Sequence, residues 1–128
     1  MSDKSASTDP SAAELEVLKI LWDQSELSAR EVHNKVGDER EWSYSTTRTI
    51  LKRMVDKGLV ERRDSHGLAV FLPAARKVDM LGRLIRNFSV RVLEMGGALP
   101  ASAFADSKLL SEEEYDELSR LLDEEDAS

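Results

Sequence analysis

The sequence contains no cysteine, and this absence removes several classes of functional site. Disulfides, thiol nucleophiles and zinc or copper sites built on thiolates all need cysteine, so this chain can form none of them. Long hydrophobic runs are also missing: no apolar stretch approaches the roughly 20 residues of a membrane-spanning helix, and no signal-peptide segment follows the start. We therefore predict a cytoplasmic protein that does not insert into a membrane.

Residues that commonly carry catalysis are scarce as well. The two histidines, His33 and His66, have no histidine or acidic partner at metal-ligand spacing. No glycine-rich phosphate loop follows a predicted strand. The successive glutamates at 112–114 stand where a helix is predicted to begin, and there they favour the helix dipole rather than acid–base chemistry. We predict that the protein is not an enzyme and that it binds no cofactor and no metal.

Positive charge is limited but concentrated in the middle of the chain. The 128 residues carry a net charge of −7. Residues 40–63 hold seven basic and three acidic side chains, a net of +4, whereas residues 106–128 hold ten acidic and two basic ones, a net of −8. Screening limits the reach of distant charges to about 8–10 Å, so an acidic protein can still present a local basic face to an anionic partner. We interpret the acidic end as solvated surface.

Serine caps and apolar spacing predict three helices in the first half. Residues 1–10 are small, polar and aperiodic, so we predict a disordered tail there. Ser11, Ser28 and Ser43 each precede an apolar stripe of helical spacing, and a glutamate three residues after the first two serines completes a capping box. Gly37 can end the second helix in a left-handed conformation. The predicted helices cover residues 12–24, 29–36 and 44–57.

The hydrophobic period changes from helical to alternating after Gly58. The segments LVERR (59–63) and LAVFLP (68–73) read as two short strands, and the four residues DSHG (64–67) between them fit a hairpin turn. Three helices followed by a hairpin form a winged helix-turn-helix pattern. We therefore predict such a domain over residues 11–73.

A helical lobe is predicted over residues 74–128. Apolar residues repeat from Val78 to Met95 at alternating spacings of three and four, which is a heptad pattern, and Ser111 with Glu114 caps a last helix rich in leucine. A single amphipathic helix could pack on its own domain, but so small a lobe favours pairing with a second copy. The fold class is thus mainly α with a small β-hairpin, a winged helix-turn-helix domain plus a C-terminal helical dimerisation lobe. The predicted dimerisation residues are Val78, Leu81, Ile85, Phe88, Val92, Leu118, Leu121 and Leu122.

The third predicted helix carries hydroxyls and basic side chains beside an apolar stripe. In a winged helix-turn-helix the third helix enters the major groove of DNA, and the hairpin can reach the backbone. Arg48 can bind guanine or a phosphate, whereas Lys52 suits the backbone. The alternative is that the hydroxyls only cap the helix and the bases only keep it soluble, yet a cap needs a single hydroxyl. We predict DNA contacts from Ser43, Tyr44, Ser45, Thr46, Arg48, Thr49, Lys52, Arg62 and Arg63.

Four motifs together resemble the BlaI/MecI/CopY family of bacterial repressors, also called penicillinase repressors. They are AELEVLKILW (13–22), LSAREV (27–32), WSYSTTRTILKRMVDKGLVERR (42–63) and VFLP (70–73). The resemblance implies a homodimer of winged-helix domains joined through C-terminal helices. It also implies that the dimer binds double-stranded, dyad-symmetric operators upstream of antibiotic-resistance or stress genes and represses transcription by occupying the promoter.

Members of this family differ in how repression is relieved. Copper-responsive members use C-terminal cysteine motifs, which this chain lacks. In another branch a membrane β-lactam sensor triggers cleavage of an Asn-Phe bond just before the last helix. The matching position here is Ala103-Phe104, which keeps the phenylalanine but not the asparagine. We favour the interpretation of a small residue beside a core aromatic, with cleavage at this bond as the alternative.

The acidic surface keeps a second class of function open. A winged-helix module can bind another protein without recognising a DNA sequence. Such a module predicts equal binding to an operator and to random duplex at physiological salt, whereas a repressor predicts discrimination between them.

Overall fold

The computed structural model describes residues 9–37 and 39–127, with side chains described as far as Asp123. The chain divides into two compact units, Met1–Ala75 and Arg76–Ser128. The predicted disordered tail lies outside the described residues, apart from Asp9 and Pro10. Within the described ranges, no helix combines the length and the apolar character that a membrane crossing requires.

The first unit contains the three predicted helices and the predicted hairpin, so the winged-helix fold class is confirmed. Both predicted capping boxes form: the Ser11 hydroxyl accepts from the Glu14 backbone at 3.2 Å, and the Ser28 hydroxyl accepts from the Glu31 backbone at 3.2 Å. A serine oxygen at these positions satisfies a backbone N–H that the helix itself cannot. The elements are α1 (Ala12–Gln24), β1 (Leu27–Ser28), α2 (Ala29–Val32), a π-helical turn (His33–Gly37), α3 (Tyr44–Asp56), β2 (Val60–Ser65) and β3 (Leu68–Pro73).

The sheet has one strand more than the predicted hairpin. Strand β1 pairs with β3, so the described sheet has the antiparallel order β1-β3-β2. Strand β2 also runs on to Ser65, which pairs with Leu68. The predicted four-residue connection is therefore wrong. The turn contains only His66 and Gly67, with φ of 54° and 80°, as a two-residue hairpin turn with positive φ at both positions requires.

The predicted left-handed ending at Gly37 is also wrong. Among the described glycines, positive φ occurs at Gly58 and Gly67. Gly37 serves a different purpose, because a Cβ there would lie 2.1 Å from Nδ1 of His33. Only a residue without a side chain lets the histidine ring approach the backbone this closely. The helix then continues past Val32 as a π-helical turn that begins at His33 and ends at Gly37.

One face of α3 lies in the core of the first unit. Thr47, Ile50, Leu51 and Met54 are buried on that face, as the predicted apolar stripe requires. They share the core with residues from α1, α2 and the sheet. The larger set of buried apolar side chains comprises Val17, Leu18, Leu21, Leu27, Val32, Val36, Leu59, Val60, Val70 and Phe71.

A partly buried ion pair joins the first turn of α1 to Lys57, the residue that caps the end of α3. The Lys57 ammonium donates to Oε1 of Glu14 at 2.6 Å and to the backbone oxygen of Asp9 at 3.0 Å. Glu14 has no exposed surface, so burial by itself would raise its pKa. The hydrogen bond and charge of Lys57, with the capping N–H of Ser11, outweigh burial and hold the pKa of Glu14 below its ordinary value.

The second unit is a helical lobe with its own core. It contains α4 (Lys77–Arg91), a 3-10 turn (Ala101–Phe104) and α5 (Glu112–Ala127). Val78, Ala98, Leu118 and Leu122 form the core, with Ile85, Phe104, Leu110 and Leu121 packed against it. The helices approach closely at Gly82, where a Cβ would lie 2.8 Å from a Leu121 methyl carbon.

Helix α4 ends before the predicted heptad stripe does. Arg91 is its last residue, so Val92 and Met95 lie beyond the helix. The buried Ser89 hydroxyl accepts from the Leu99 backbone at 2.9 Å, which ties the chain after the helix back to α4. A heptad pattern cannot detect such a return, because it reports the spacing of apolar residues and not where the chain turns.

The predicted dimerisation residues fall into three groups by exposure. Three of them lie in the core of their own unit, namely Val78, Leu118 and Leu122. Leu81, Ile85 and Leu121 are half-buried. Phe88 and Val92 are 46% and 61% exposed, and they are joined by the exposed Val90 and Leu93.

The buried pair predicts a stability change that depends on pH. Replacing Lys57 by methionine leaves the Glu14 carboxylate buried without its cation, and should lower the free energy of unfolding by about 3 kcal/mol at pH 7. A carboxyl whose pKa is lowered in the folded state stabilises the protein above the unfolded pKa, and this contribution is lost as pH falls through the folded value. The difference between parent and variant in urea unfolding should therefore shrink below about pH 4.

Lys52 provides the matched control on the same helix. Its pair with Asp56 spans 3.5 Å, but the two side chains are 80% and 66% exposed. Lys52→Met should change the free energy of unfolding by less than about 0.5 kcal/mol. Equal losses for the two variants would contradict a special role for Lys57.

Candidate nucleic-acid interface

The polar face of α3 starts with a serine cap that uses two of the predicted hydroxyls. The Ser43 hydroxyl accepts from the Thr46 backbone at 3.0 Å, and the hydroxyl oxygens of these two residues also lie 3.0 Å apart. Both residues remain exposed. Their geometry matches the capping interpretation, because each already has a partner within the helix start. Ser45 and Thr49 are exposed too, and neither takes part in the cap.

An open groove runs between α3, the start of α2 and the hairpin. Its volume is about 790 Å³. Apolar side chains from α3 and the hairpin line it, among them Leu51, Val55, Leu68 and Phe71. Positive side chains from three elements line it as well. They are Arg30 of α2, Arg48 and Lys52 of α3, and Arg62 of β2.

The groove brings together six of the nine predicted DNA contacts. Most are exposed, and Tyr44 is half-buried. A groove of this composition can bind an anionic, elongated partner, since it combines cations, hydroxyls and an apolar floor. The six are Tyr44, Ser45, Arg48, Thr49, Lys52 and Arg62.

Ser43, Thr46 and Arg63 do not line the groove. For Arg63 the cause is strand alternation, because consecutive residues of β2 point to opposite sides of the sheet. Arg62 is paired across the sheet with Phe71, which lines the groove, whereas Arg63 forms an ion pair with Glu26. The predicted phosphate contact of Arg63 stays a prediction.

Weak ion pairs leave the groove cations accessible to an anion. Arg62 and Asp64 lie 4.0 Å apart, and Lys52 and Asp56 lie 3.5 Å apart, with all four side chains more than half exposed. Exposed pairs of this kind contribute about 0–1 kcal/mol, so a phosphate can replace the carboxylate at little cost.

Over the described residues, no group of three or more histidine, aspartate or glutamate side chains is arranged to hold a metal ion.

A cluster around Tyr44 was missed by the sequence reasoning. Cζ of Arg30 lies 3.8 Å from the centre of the Tyr44 ring, and the His33 ring meets it edge-on at 5.6 Å. Nδ1 of His33 is hydrogen-bonded to Oγ1 of Thr47 at 2.8 Å. His33 has no histidine or acidic partner at metal-ligand spacing, but its ring contacts both Thr47 and Tyr44. Arg30 could have been found from its place at the start of the first helix of the helix-turn-helix, which crosses the DNA backbone.

Ala103 and Phe104, the candidate cleavage residues, lie in the 3-10 turn of the second unit. Ala103 is exposed, whereas Phe104 is half-buried, packs against the core and meets the Tyr115 ring edge-on at 6.2 Å. This packing matches the interpretation of Phe104 as a core aromatic. Cleavage at this bond stays the untested alternative.

Comparison with known proteins agrees with this architecture. The profile of the family described as penicillinase repressor matches residues 10–124. The chain is similar to the penicillinase repressor of Bacillus licheniformis, with 30% identity over 116 residues that cover 89% of each chain. It is also similar to the methicillin resistance regulatory protein MecI of Mammaliicoccus sciuri, with 28% identity over 112 residues that cover 88% of this chain and 91% of that protein. The family profile spans nearly the whole chain, and the chain therefore belongs to the penicillinase repressor family.

Proposed function

We propose that this chain is a DNA-binding transcriptional repressor that binds a dyad-symmetric operator as a homodimer. The observation that carries the proposal is the groove of the first unit, where α3 and β2 present Arg48, Lys52 and Arg62 together. The N-terminal half of α3 faces the major groove of DNA and reads base edges, while β2 holds the backbone. Repression then follows from occupation of the promoter.

The roles within α3 follow from which side chains are free to reach DNA. Arg48 has a planar, always charged head that matches the N7 and O6 acceptors of guanine. Lys52 lies one turn further on and binds a phosphate as a point charge. Ser45 and Thr49 are exposed on the groove side and supply hydroxyl donors. Ser43 and Thr46 mainly hold the start of the helix, because they already bond to each other.

The homodimer is proposed to form through the exposed apolar residues near the end of α4. Buried residues such as Val78, Leu118 and Leu122 stabilise their own unit, so the contact with a second copy is assigned to Phe88, Val90, Val92 and Leu93. Side chains of this size that are 43–61% exposed lose apolar surface to water when a partner covers them. A symmetric dimer then places two α3 helices on half-sites about 34–36 Å apart.

Control of antibiotic-resistance genes is part of the proposal. It rests on the names of the relatives, which refer to methicillin resistance and to penicillinase. The proposal extends to relief through a membrane sensor and proteolysis at Ala103-Phe104, where Phe104 packs against the core of its unit and alanine stands in place of the asparagine. Incubation of the protein with extracts of β-lactam-treated cells, followed by mass spectrometry, tests it. An uncut Ala103-Phe104 bond in derepressed cells would remove this extension.

Sequence-specific binding is tested with a duplex enriched by this protein from a random pool and with a scrambled duplex of equal length. A repressor should bind the enriched duplex at least about 1,000-fold more tightly at physiological salt, with an affinity that falls steeply as salt rises. Equal binding to both duplexes would favour the protein-interaction module instead.

Arg48→Ala should reduce affinity for the enriched duplex by about 1–3 kcal/mol and relax the preference at one base pair. Lys52→Ala is the comparison variant on the same face. It should weaken binding by the same factor for all sequences, and about one counterion fewer should be released on binding, which makes the salt dependence shallower. Unchanged base preference in the Arg48 variant would show that this side chain does not read a base.

The double variant Phe88→Asp/Val92→Asp should dissociate the dimer, because it places two carboxylates where apolar surface is covered. Light scattering coupled to size exclusion should show the mass falling from that of two chains to that of one. Leu68→Asp is the control, since Leu68 is an exposed apolar residue of the other unit, at 57% exposure. It should leave the mass unchanged, and a parent protein that runs as a monomer would contradict the dimer.

A further inference from the structure

Helix α2 contributes a cation to the groove, and an aromatic ring determines where that cation lies. Cζ of Arg30 stands 3.8 Å above the centre of the Tyr44 ring. Cζ of Arg48 lies 6.0 Å from the same centre, at the outer limit of a cation–π contact. The closer contact therefore links Arg30 of α2 to the first residue of α3, and both residues line the groove.

The Tyr44 ring also contacts a second aromatic ring, that of His33. The His33 ring meets it at 5.6 Å with an angle of 76° between the planes, an edge-to-face arrangement. His33 is fixed by its hydrogen bond to Oγ1 of Thr47, whose side chain is fully buried. The sequence of contacts runs from the core through Thr47, His33 and Tyr44 to Arg30. The position of an exposed guanidinium thus depends on a buried residue.

Stacking leaves the hydrogen-bonding edge of Arg30 free. A guanidinium has its N–H donors around the rim of a plane, so a ring against one face blocks none of them. In the part of the chain that the structure describes, no carboxylate forms an ion pair with Arg30. A bidentate anion can therefore bind the rim while the face stays on Tyr44.

We propose that Arg30 binds a phosphate of the DNA backbone and that Tyr44 is its positioning residue, an inference that rests on the proposed function. The first helix of a helix-turn-helix crosses the DNA backbone, so a cation on α2 meets phosphate rather than a base edge. The stack fixes the guanidinium before DNA arrives, which reduces the side-chain entropy lost on binding. Tyr44 acts through its ring, and its hydroxyl is not required.

Arg30→Ala should weaken binding to the enriched duplex about tenfold. It should weaken binding to the scrambled duplex by a similar factor, since a phosphate contact carries no sequence information. The slope of log affinity against log salt between about 50 and 200 mM should become shallower by about 0.9. Arg30→Lys keeps the charge without the planar stack, so it should keep most of the slope and recover only part of the affinity.

Variants at Tyr44 separate positioning from direct contact. Tyr44→Phe keeps the ring and should bind within about twofold of the parent, whereas Tyr44→Leu removes the ring and should lose several-fold. In the Arg30→Ala background, Tyr44→Leu should cost much less than in the parent, because its effect passes through Arg30. Full additivity of the two changes, or a large loss for Tyr44→Phe, would contradict the positioning role.

Lys35→Ala is the matched control, as Lys35 is an exposed cation of the adjacent π-helical turn that does not line the groove. It should bind within about twofold of the parent with a nearly unchanged salt slope. If the parent discriminates between the duplexes while Arg30→Ala matches it in affinity and slope, this inference fails and the proposed function stands. If the parent does not discriminate, both fail together.

Discussion

The ion pair between the buried Glu14 and Lys57 joins the end of α3 to the start of α1, and so anchors the helix whose other face lines the groove. Glu14 has two tasks, because one of its oxygens also accepts the capping N–H of Ser11. A buried carboxylate without its cation carries a desolvation cost of several kcal/mol, so the pair tolerates little displacement of either helix. The apolar stripe of α3 packs against the core, and Lys57 links the end of the helix to Glu14 in the first turn of α1.

The opposite end of α3 is fixed by polar and aromatic contacts instead. There the Ser43 cap, the Thr47–His33 hydrogen bond and the Tyr44 ring hold the first turn. Thr47 is buried, but Ser43 is exposed and Tyr44 is half-buried, so these two residues can stabilise the helix start and also border the surface proposed to bind DNA. Hydroxyls at the start of the proposed recognition helix thus need not all contact DNA, because the cap accounts for Ser43 and Thr46, whereas Ser45 and Thr49 take no part in it.

The correct predictions depend on local signals, whereas most of the missed contacts join distant residues, and the turn at 64–67 and the helix ending at Gly37 show that local signals can also mislead. Capping boxes, the positions of α1 and α3, and the apolar stripe of α3 depend on residues three or four positions apart, and these were predicted correctly. The pairing of Leu27 with Phe71, the Glu14–Lys57 ion pair and the Arg30–Tyr44 stack join residues far apart in the chain, and no short pattern reports them. Six of the predicted contacts meet in one groove because they lie on one face of α3 and one face of the sheet. Arg63 lies one residue further along β2 than Arg62, so its side chain points to the opposite face of the sheet.

The C-terminal unit shows why periodicity does not separate a core from an interface. Val78, Ile85 and Phe88 share one heptad stripe, yet Val78 is buried in its own unit, Ile85 packs at the edge of the core and Phe88 is half exposed. The stripe is continuous, but α5 approaches only the first part of α4 closely, at Gly82, which has no side chain. The helix ends soon afterwards, and a hydrogen bond from the Leu99 backbone to Ser89 ties the following chain back to it. Apolar residues near the end of α4 therefore remain 43–61% exposed among the described residues, and the proposed second copy that buries them would also bring a second groove to the DNA. Affinity for a dyad-symmetric site would then depend on two modest grooves acting together rather than on one strongly basic surface, which an acidic chain does not have.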